Sequence, residues 1–99
     1  MKYDIVFHPE AQKEYLEACY WYDQNLIGLG NIFKFFVLDQ IDLILTSPES
    51  YPVKRRNYRE SNVHKFPYTI VYSIDSKEQI ITVSAIYHTS RDPRKKYRK

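Results

Sequence analysis

Residues 31–46, NIFKFFVLDQIDLILT, decide the fold. Ile32, Phe33, Phe36, Val37, Ile41, Ile44 and Leu45 form one continuous apolar stripe, which predicts an amphipathic helix that stops before Ser47-Pro48. Just upstream, NLIGLGN holds both glycines, one suited to a helix C-terminal cap and one to the start of the next element. Further back, from Pro9 to about Gln24, Ala11, Tyr15, Ala18, Cys19 and Tyr22 recur at helical spacing while Glu10, Lys13, Glu14 and Glu17 lie on other faces. Pro9 suits a first helical turn, where its missing N–H is not needed. The connection is short, so the two helices are expected to pair as an antiparallel hairpin. Tyr3 to Phe7, YDIVF, reads as a short strand leading into it.

On the C-terminal side of these helices the period changes. YRESNVHKF, YTIVYSID and QIITVSAIYH are rich in β-branched and aromatic residues and are separated by Pro67 and by Asp75-Ser76-Lys77-Glu78. They predict a three-stranded antiparallel meander. Ile70, Tyr72 and Ile74 on one run, and Ile81, Val83 and Ala85 on the next, alternate with their neighbours, so one sheet face is expected to be apolar. The helix stripe needs a cover and this face supplies it. The expected architecture is a two-layer α+β domain of an N-terminal strand, a helix hairpin and a meander. With 99 residues at 12.0 kDa there is room for a single domain over 1–99, ending in a basic tail from about residue 91.

At 43% hydrophobic and 27% charged residues the chain is too apolar for a disordered one. Cys19 is the single cysteine, which excludes an intramolecular disulfide or a Cys-rich zinc site and fits a reducing compartment. MKYDIVFHPE lacks a signal-peptide core, and no apolar run approaches the roughly 18 residues of a membrane span. A cytoplasmic protein without membrane partners is expected. Charge is divided unevenly. Residues 1–53 carry three Lys or Arg against eight acids, a net of −5, and residues 54–99 carry twelve against four, a net of +8. Such asymmetry suggests a basic face for an anionic partner.

No Walker loop, dinucleotide fingerprint, HExxH helix or CxxC pair is present. His8, His64 and His88 are scattered and the acids near them lack ligand spacing, so neither a metal nor a cofactor is expected. What remains is basic and aromatic: Lys54, Arg55, Arg56, Tyr58 and Arg59, then His88, Arg91, Arg94 and Tyr97. In a meander these two groups can lie close together. Cations would hold phosphates and tyrosines would stack on unpaired bases, as in single-stranded nucleic-acid binding. Metal-free RNA cleavage needs a base, a cation and an acid, and His88, Arg91 and Tyr97 are the right types. Each also has a plain structural role: His88 capping a strand, Arg91 pairing with Asp92, Tyr97 ending a tail. On the helices, Phe35 and Leu38 beside Asp39 and Asp42, with Tyr20 and Trp21, exceed what one buried face needs. They are either core edges or a patch for a partner or second copy.

FHPEAQKEYLEACYWY, GLGNIFKFF, SPESYP, HKFPYTIVYSID and AIYHTSRDP, in that order, resemble the RelE/ParE superfamily of toxins from bacterial type II toxin–antitoxin modules over nearly the whole chain. The resemblance implies a compact toxin held inactive by a cognate antitoxin that wraps it, with Trp21, Phe35 and Leu38 as antitoxin contacts. It implies one of two activities: cleavage of messenger RNA on the ribosome, as in RelE-like members, or inhibition of DNA gyrase and plasmid-stabilising growth arrest, as in ParE-like members. Ribonuclease members place an arginine directly after the aromatic residue that opens the third strand. Here Tyr68 is followed by Thr69, and a neutral hydroxyl cannot replace a guanidinium on a scissile phosphate. AIYHTSRDP is similar to ParE-like endings. The expectation is therefore a gyrase-binding protein rather than an enzyme, with Lys54, Arg55, Arg56, Arg59, His88 and Arg91 on the target face. The alternatives are a ribosome-dependent endoribonuclease using His88, Arg91 and Tyr97, and a non-toxic relative that binds antitoxin or DNA as a co-regulator.

Overall fold

The computed structural model describes residues 3–91. Strand β1 (Asp4–Phe7) leads into helix α1 (Pro9–Asn25) and helix α2 (Leu29–Thr46). A 3-10 turn at Pro48–Ser50 then precedes β2 (Val53–Arg55), β3 (Tyr58–Asn62), β4 (Tyr68–Asp75) and β5 (Ile80–His88). The strands form one sheet in the order β1-β5-β4-β3-β2, with β1 parallel to β5 and the other neighbours antiparallel. The expected α+β architecture is the observed one.

Phe33, Val37 and Ile44 of α2 are fully buried against Ile70, Tyr72, Ile81 and Val83 of the sheet, and Ala11 and Ala18 bring α1 into the same core. Burying each of the larger side chains is worth about 2 kcal/mol, several times the differences in intrinsic helix propensity, so packing rather than local preference makes α2 a helix. Ile32, expected within the stripe, falls on its exposed flank.

Gly28 and Gly30 divide the labour differently from the expected cap and start. Leu26, in extended conformation, ends α1, while Gly28 begins α2 at φ +91°. Gly30 lies where the helices touch: a Cβ there would sit 2.5 Å from the Cys19 carbonyl and 2.8 Å from the Asp23 carboxylate. Across this contact Asp23 Oδ1 accepts from the Gly30 N–H (2.8 Å), so α1 caps the first turn of α2. At the other end His8 Nδ1 caps α1 by accepting from the Glu10 N–H (3.0 Å).

The sheet departs from the expected meander in three ways. Val53–Arg55 adds a short edge strand, which three residues without alternation do not announce. The first expected run ends at Asn62 instead of continuing to Phe66, because Lys65 turns the chain at φ 67° and the Val63 N–H bonds back to the Tyr68 carbonyl (2.9 Å). On β5 the register slips: Val71 faces Ala85 but Tyr72 faces Val83, leaving Ser84 as a bulge. Beyond it the faces swap. Ile81, Val83 and Ile86 meet the helices, whereas Ala85, expected with them, joins Tyr58, Val71 and Tyr87 in a second buried cluster on the opposite face.

Gly30→Ala is expected to lower unfolding stability by about 3 kcal/mol through the backbone clash, and Gly28→Ala by only about 1 kcal/mol for the positive φ; urea midpoints check the ranking. Burial pushes the phenols of Tyr15 and Tyr72 from an ordinary 10.0 up to about 12. Because the folded state favours the neutral form, their contribution is complete below pH 10 and is lost as pH rises through 12. Tyr72→Phe, which also removes the hydroxyl donated to the Pro48 carbonyl (2.6 Å), should lower stability at neutral pH and flatten this alkaline decline.

Candidate functional site

The bulge at Ser84 sets up the site by aiming Ile86 and His88 at α1. β1 reaches only Val83 in its register, so the edge of β5 beyond that point has no strand beside it. The Glu14 side chain of α1 fills the gap, one carboxylate oxygen accepting from the Ile86 N–H (3.0 Å). The exit from β5 is held at several points. The Thr89 N–H bonds to the Pro67 carbonyl (2.9 Å), the Arg91 N–H to the His88 carbonyl (3.0 Å), and the Tyr87 hydroxyl donates to the Arg91 carbonyl. His88 Nδ1 accepts from the Ser90 N–H (3.1 Å), with Ser90 Oγ at 2.7 Å, and its ring meets Tyr68 edge to face at 5.0 Å.

Between α1 and this turn lies a cleft of about 340 Å³. Glu14, Glu17 and Trp21, at helical spacings of three and four, form one wall. Tyr22, Tyr68 and Ile86 also line it, and His88, Ser90 and Arg91 face the acidic wall. Burial raises the Tyr68 phenol above its ordinary range; Tyr22 and the Glu14 carboxylate push the same way, and the Arg91 guanidinium opposes them. The hydroxyl therefore sits between opposite charges. Trp21, 59% exposed, contacts Tyr22 edge to face (5.1 Å, 82°).

The two basic groups of the sequence do not converge. Lys54 and Arg55 lie on edge strand β2 and Arg56 in the turn after it, level with the C-terminal half of β4, while His88 pairs with Tyr68 at its start. Three strand spacings, about 14 Å, and five residues along the strand, about 17 Å, separate the corners. Arg59 is committed internally: its Nη1 donates to the carbonyls of Tyr51 (2.6 Å) and Glu49 (3.2 Å). Tyr58 is buried beneath the sheet rather than open for stacking. Arg94 and Tyr97 lie outside the described residues. Of the apolar surface residues, Trp21 belongs to the cleft. Phe35 and Leu38 are exposed on α2, Leu38 bordering a separate apolar groove of about 200 Å³ with Phe7, Tyr15 and Ile41. Among the described residues no three His, Cys, Asp or Glu gather to hold a metal ion, and no helix is long and apolar enough to cross a membrane. Sequence reasoning missed Glu14, Glu17, Tyr22 and Tyr68. The row Glu14, Glu17, Trp21 along one flank of α1 is the signal that could have found them.

Residues 5–93 match the family model described as the ParE toxin of the type II toxin–antitoxin system parDE. The chain belongs to this family. In fold it is similar to a protein of the chromosomal ParDE system from P. aeruginosa, with a TM-score of 0.69 at 14% identity, covering 90% of this chain and 98% of that one. It is similar also to the isolated E. coli RelE toxin (TM-score 0.68, 17% identity, 92% and 88% covered). A chain of the archaeal RelE–RelB complex from Pyrococcus horikoshii is more distant (TM-score 0.53, 16% identity, 93% and 100% covered). No curated protein matches the sequence.

In this ParE-family chain the position after Tyr68 carries no cation. Thr69 is buried and its hydroxyl bonds to Asn62 Oδ1 (2.9 Å). Neither neighbouring cation takes its place: Arg59 serves the loop before β2, and Lys65 Nζ lies 6.0 Å from the centre of the Phe36 ring. The cleft gathers two carboxylates, an imidazole, a guanidinium and an exposed indole. Glu14→Ala should cost about 2 kcal/mol of stability by leaving the Ile86 N–H unpaired, and Glu14→Gln about half as much because its amide oxygen still accepts. Urea unfolding of both variants, with hydrogen exchange at Ile86, checks this order.

Proposed function

We propose that this chain is a growth-inhibiting toxin that binds DNA gyrase and is neutralised by a cognate antitoxin. The observation that carries the gyrase reading over RNA cleavage is the bonded Thr69 hydroxyl behind Tyr68, where a nuclease of this superfamily would need a guanidinium on the phosphate. Membership of the ParE family supports it independently. His88 and Arg91 supply one contact to the gyrase–DNA complex, and Lys54, Arg55 and Arg56 a second, remote one. A target of that size spans both corners.

The antitoxin follows from the company the fold keeps, since similar chains come from a ParDE system and a RelE–RelB complex. Phe35 and Leu38, with the apolar groove that Leu38 borders, are the proposed antitoxin contacts, and Trp21 a third at the cleft. A second reading, ribosome-dependent RNA cleavage, draws on the meeting of carboxylate, imidazole and guanidinium around the cleft.

Induced expression without antitoxin should raise DNA-damage signalling and stop replication before amino-acid incorporation falls. Arg91→Ala should relieve the arrest while the protein stays folded. An immediate stop in translation with cleaved ribosome-bound transcripts and intact DNA would refute the gyrase reading in favour of the second.

A further inference from the structure

Helix α2 carries more apolar surface than its buried stripe uses. Ile32, Phe36, Asp39 and Leu43 follow one another at spacings of four, three and four residues, the period of a helix-pairing seam. At about 100° per residue this line points nearly opposite to Gly30 and Ile41, the positions that face α1. Ile32 and Leu43 are 49% and 48% exposed, Asp39 is exposed and Phe36 is half-buried. The turn between β3 and β4 packs beside the seam: from the Phe36 ring, the His64 ring is 5.6 Å away, the Phe66 ring 6.0 Å and Lys65 Nζ 6.0 Å. Two aliphatic side chains at the ends, with a half-covered ring and one acid between them, thus form a surface line about 17 Å long.

We propose that this flank of α2 pairs with the same flank of a second copy of the chain, the two helices antiparallel about a two-fold axis level with Val37 and Leu38. Antiparallel pairing brings Ile32 over Leu43 of the second copy and Phe36 over its Asp39, because both pairs are centred between residues 37 and 38. Two-fold symmetry repeats each contact, so one seam of this kind complements itself. The acid selects the occupant. Asp39 set against an apolar surface alone would lose its hydration for nothing. Here it arrives beside Lys65 of the second copy, which lies near the Phe36 ring that Asp39 covers. Two such charge pairs fix the register and the antiparallel sense, as charges flanking a helix seam do. A nucleic-acid strand fits less well: the rings would suit stacking, but Asp39 would repel the phosphates. The contact is small, below about 1,200 Å² in all, so a dissociation constant of about 10 μM is expected. The apolar groove bordered by Leu38 and the cleft between α1 and β5 lie toward α1, away from the seam, and stay open in both copies. The inference does not draw on the gyrase reading.

Sedimentation velocity of the full-length protein, from about 1 to about 200 μM, should show a mass rising from 12.0 kDa toward twice that value. Leu43→Glu should weaken association at least about ten-fold, whereas Leu16→Glu, at an exposed position of α1, should leave it unchanged. Asp39→Lys and Lys65→Asp should each give a monomer, because like charges then meet across the seam. Mixing these two variants should restore the dimer, since each copy now supplies the charge that the other needs. A charge pair within one chain cannot produce that rescue. Unchanged urea midpoints confirm that every variant is folded. A monomer throughout the range, association indifferent to Leu43→Glu, equal loss with Leu16→Glu, or no rescue on mixing would each overturn the pairing. A monomer that binds a single-stranded oligonucleotide, and loses it with Leu43→Glu, would overturn it in favour of nucleic acid. Failure of the gyrase reading appears in replication and leaves these masses untouched.

Discussion

One residue too many in β5 governs the functional half of the molecule. In an unbroken strand, Ala85 and Tyr87 would follow Ile81 and Val83 into the helix-facing core, and Ile86 and His88 would point away from α1. The bulge at Ser84 reverses this. It places the Tyr87 ring under the sheet, where its hydroxyl reaches the Arg91 carbonyl, and brings His88 against Tyr68. The position of Arg91 is a consequence, since its N–H and carbonyl are both bound by groups that the bulge has oriented. A single slip of register thus converts the end of a strand into one wall of a cleft.

The opposite wall depends on how α1 is held. Asp23 and Gly30 join the helices where α2 begins, at a separation that only glycine allows. Glu14 ties the middle of α1 to the edge of β5. With the helix pinned at these two levels, the flank carrying Glu17 and Trp21 cannot roll toward solvent without breaking one of them. The carboxylate that closes this sheet edge also lines the cleft, so one side chain serves both the stability of the edge and the shape of the wall. Such edges are otherwise open to unwanted strand pairing, so the arrangement protects the fold as well.

Much of the architecture was legible because it follows from periodicity. The stripe from Phe33 to Ile44 and the alternation of Ile70, Tyr72 and Ile74 are packing patterns, and packing dominates the energy of a domain this small. The bulge was not legible: IITVSAIY alternates acceptably in two registers, and only the pairing of Val71 with Ala85 and of Tyr72 with Val83 selects one. Edge strand β2 was missed for a related reason, three residues being too few to show a period. Of the residues that line the cleft, sequence drew attention to His88, Arg91 and Trp21, but as members of separate groups. What joins them is the crossing of α1 over the end of β5, a tertiary fact with no local signature. Glu14 and Glu17 read as a solvated helix face because nothing in the sequence says which flank of α1 meets the sheet.

The division of charge takes on a different meaning once the chain is folded. A net of −5 before residue 54 and +8 after it suggests one cationic face, yet the described cations fall into separate places. Arg59 is tied to carbonyls, Lys65 rests near Phe36, and Lys54, Arg55 and Arg56 occupy a corner remote from Arg91. Arg91 itself faces carboxylates of the acidic half across the cleft. Attraction to a polyanion is therefore delivered at points more than about 20 Å apart, at least two screening lengths at physiological salt. Points so far apart act independently, and they reinforce each other only on a rigid partner whose phosphates match both. A short oligonucleotide can engage one point at a time, whereas a large protein–DNA assembly can engage both. Under the proposed gyrase reading, discrimination between small anions and the cellular target rests on the spacing of these two corners rather than on the total charge.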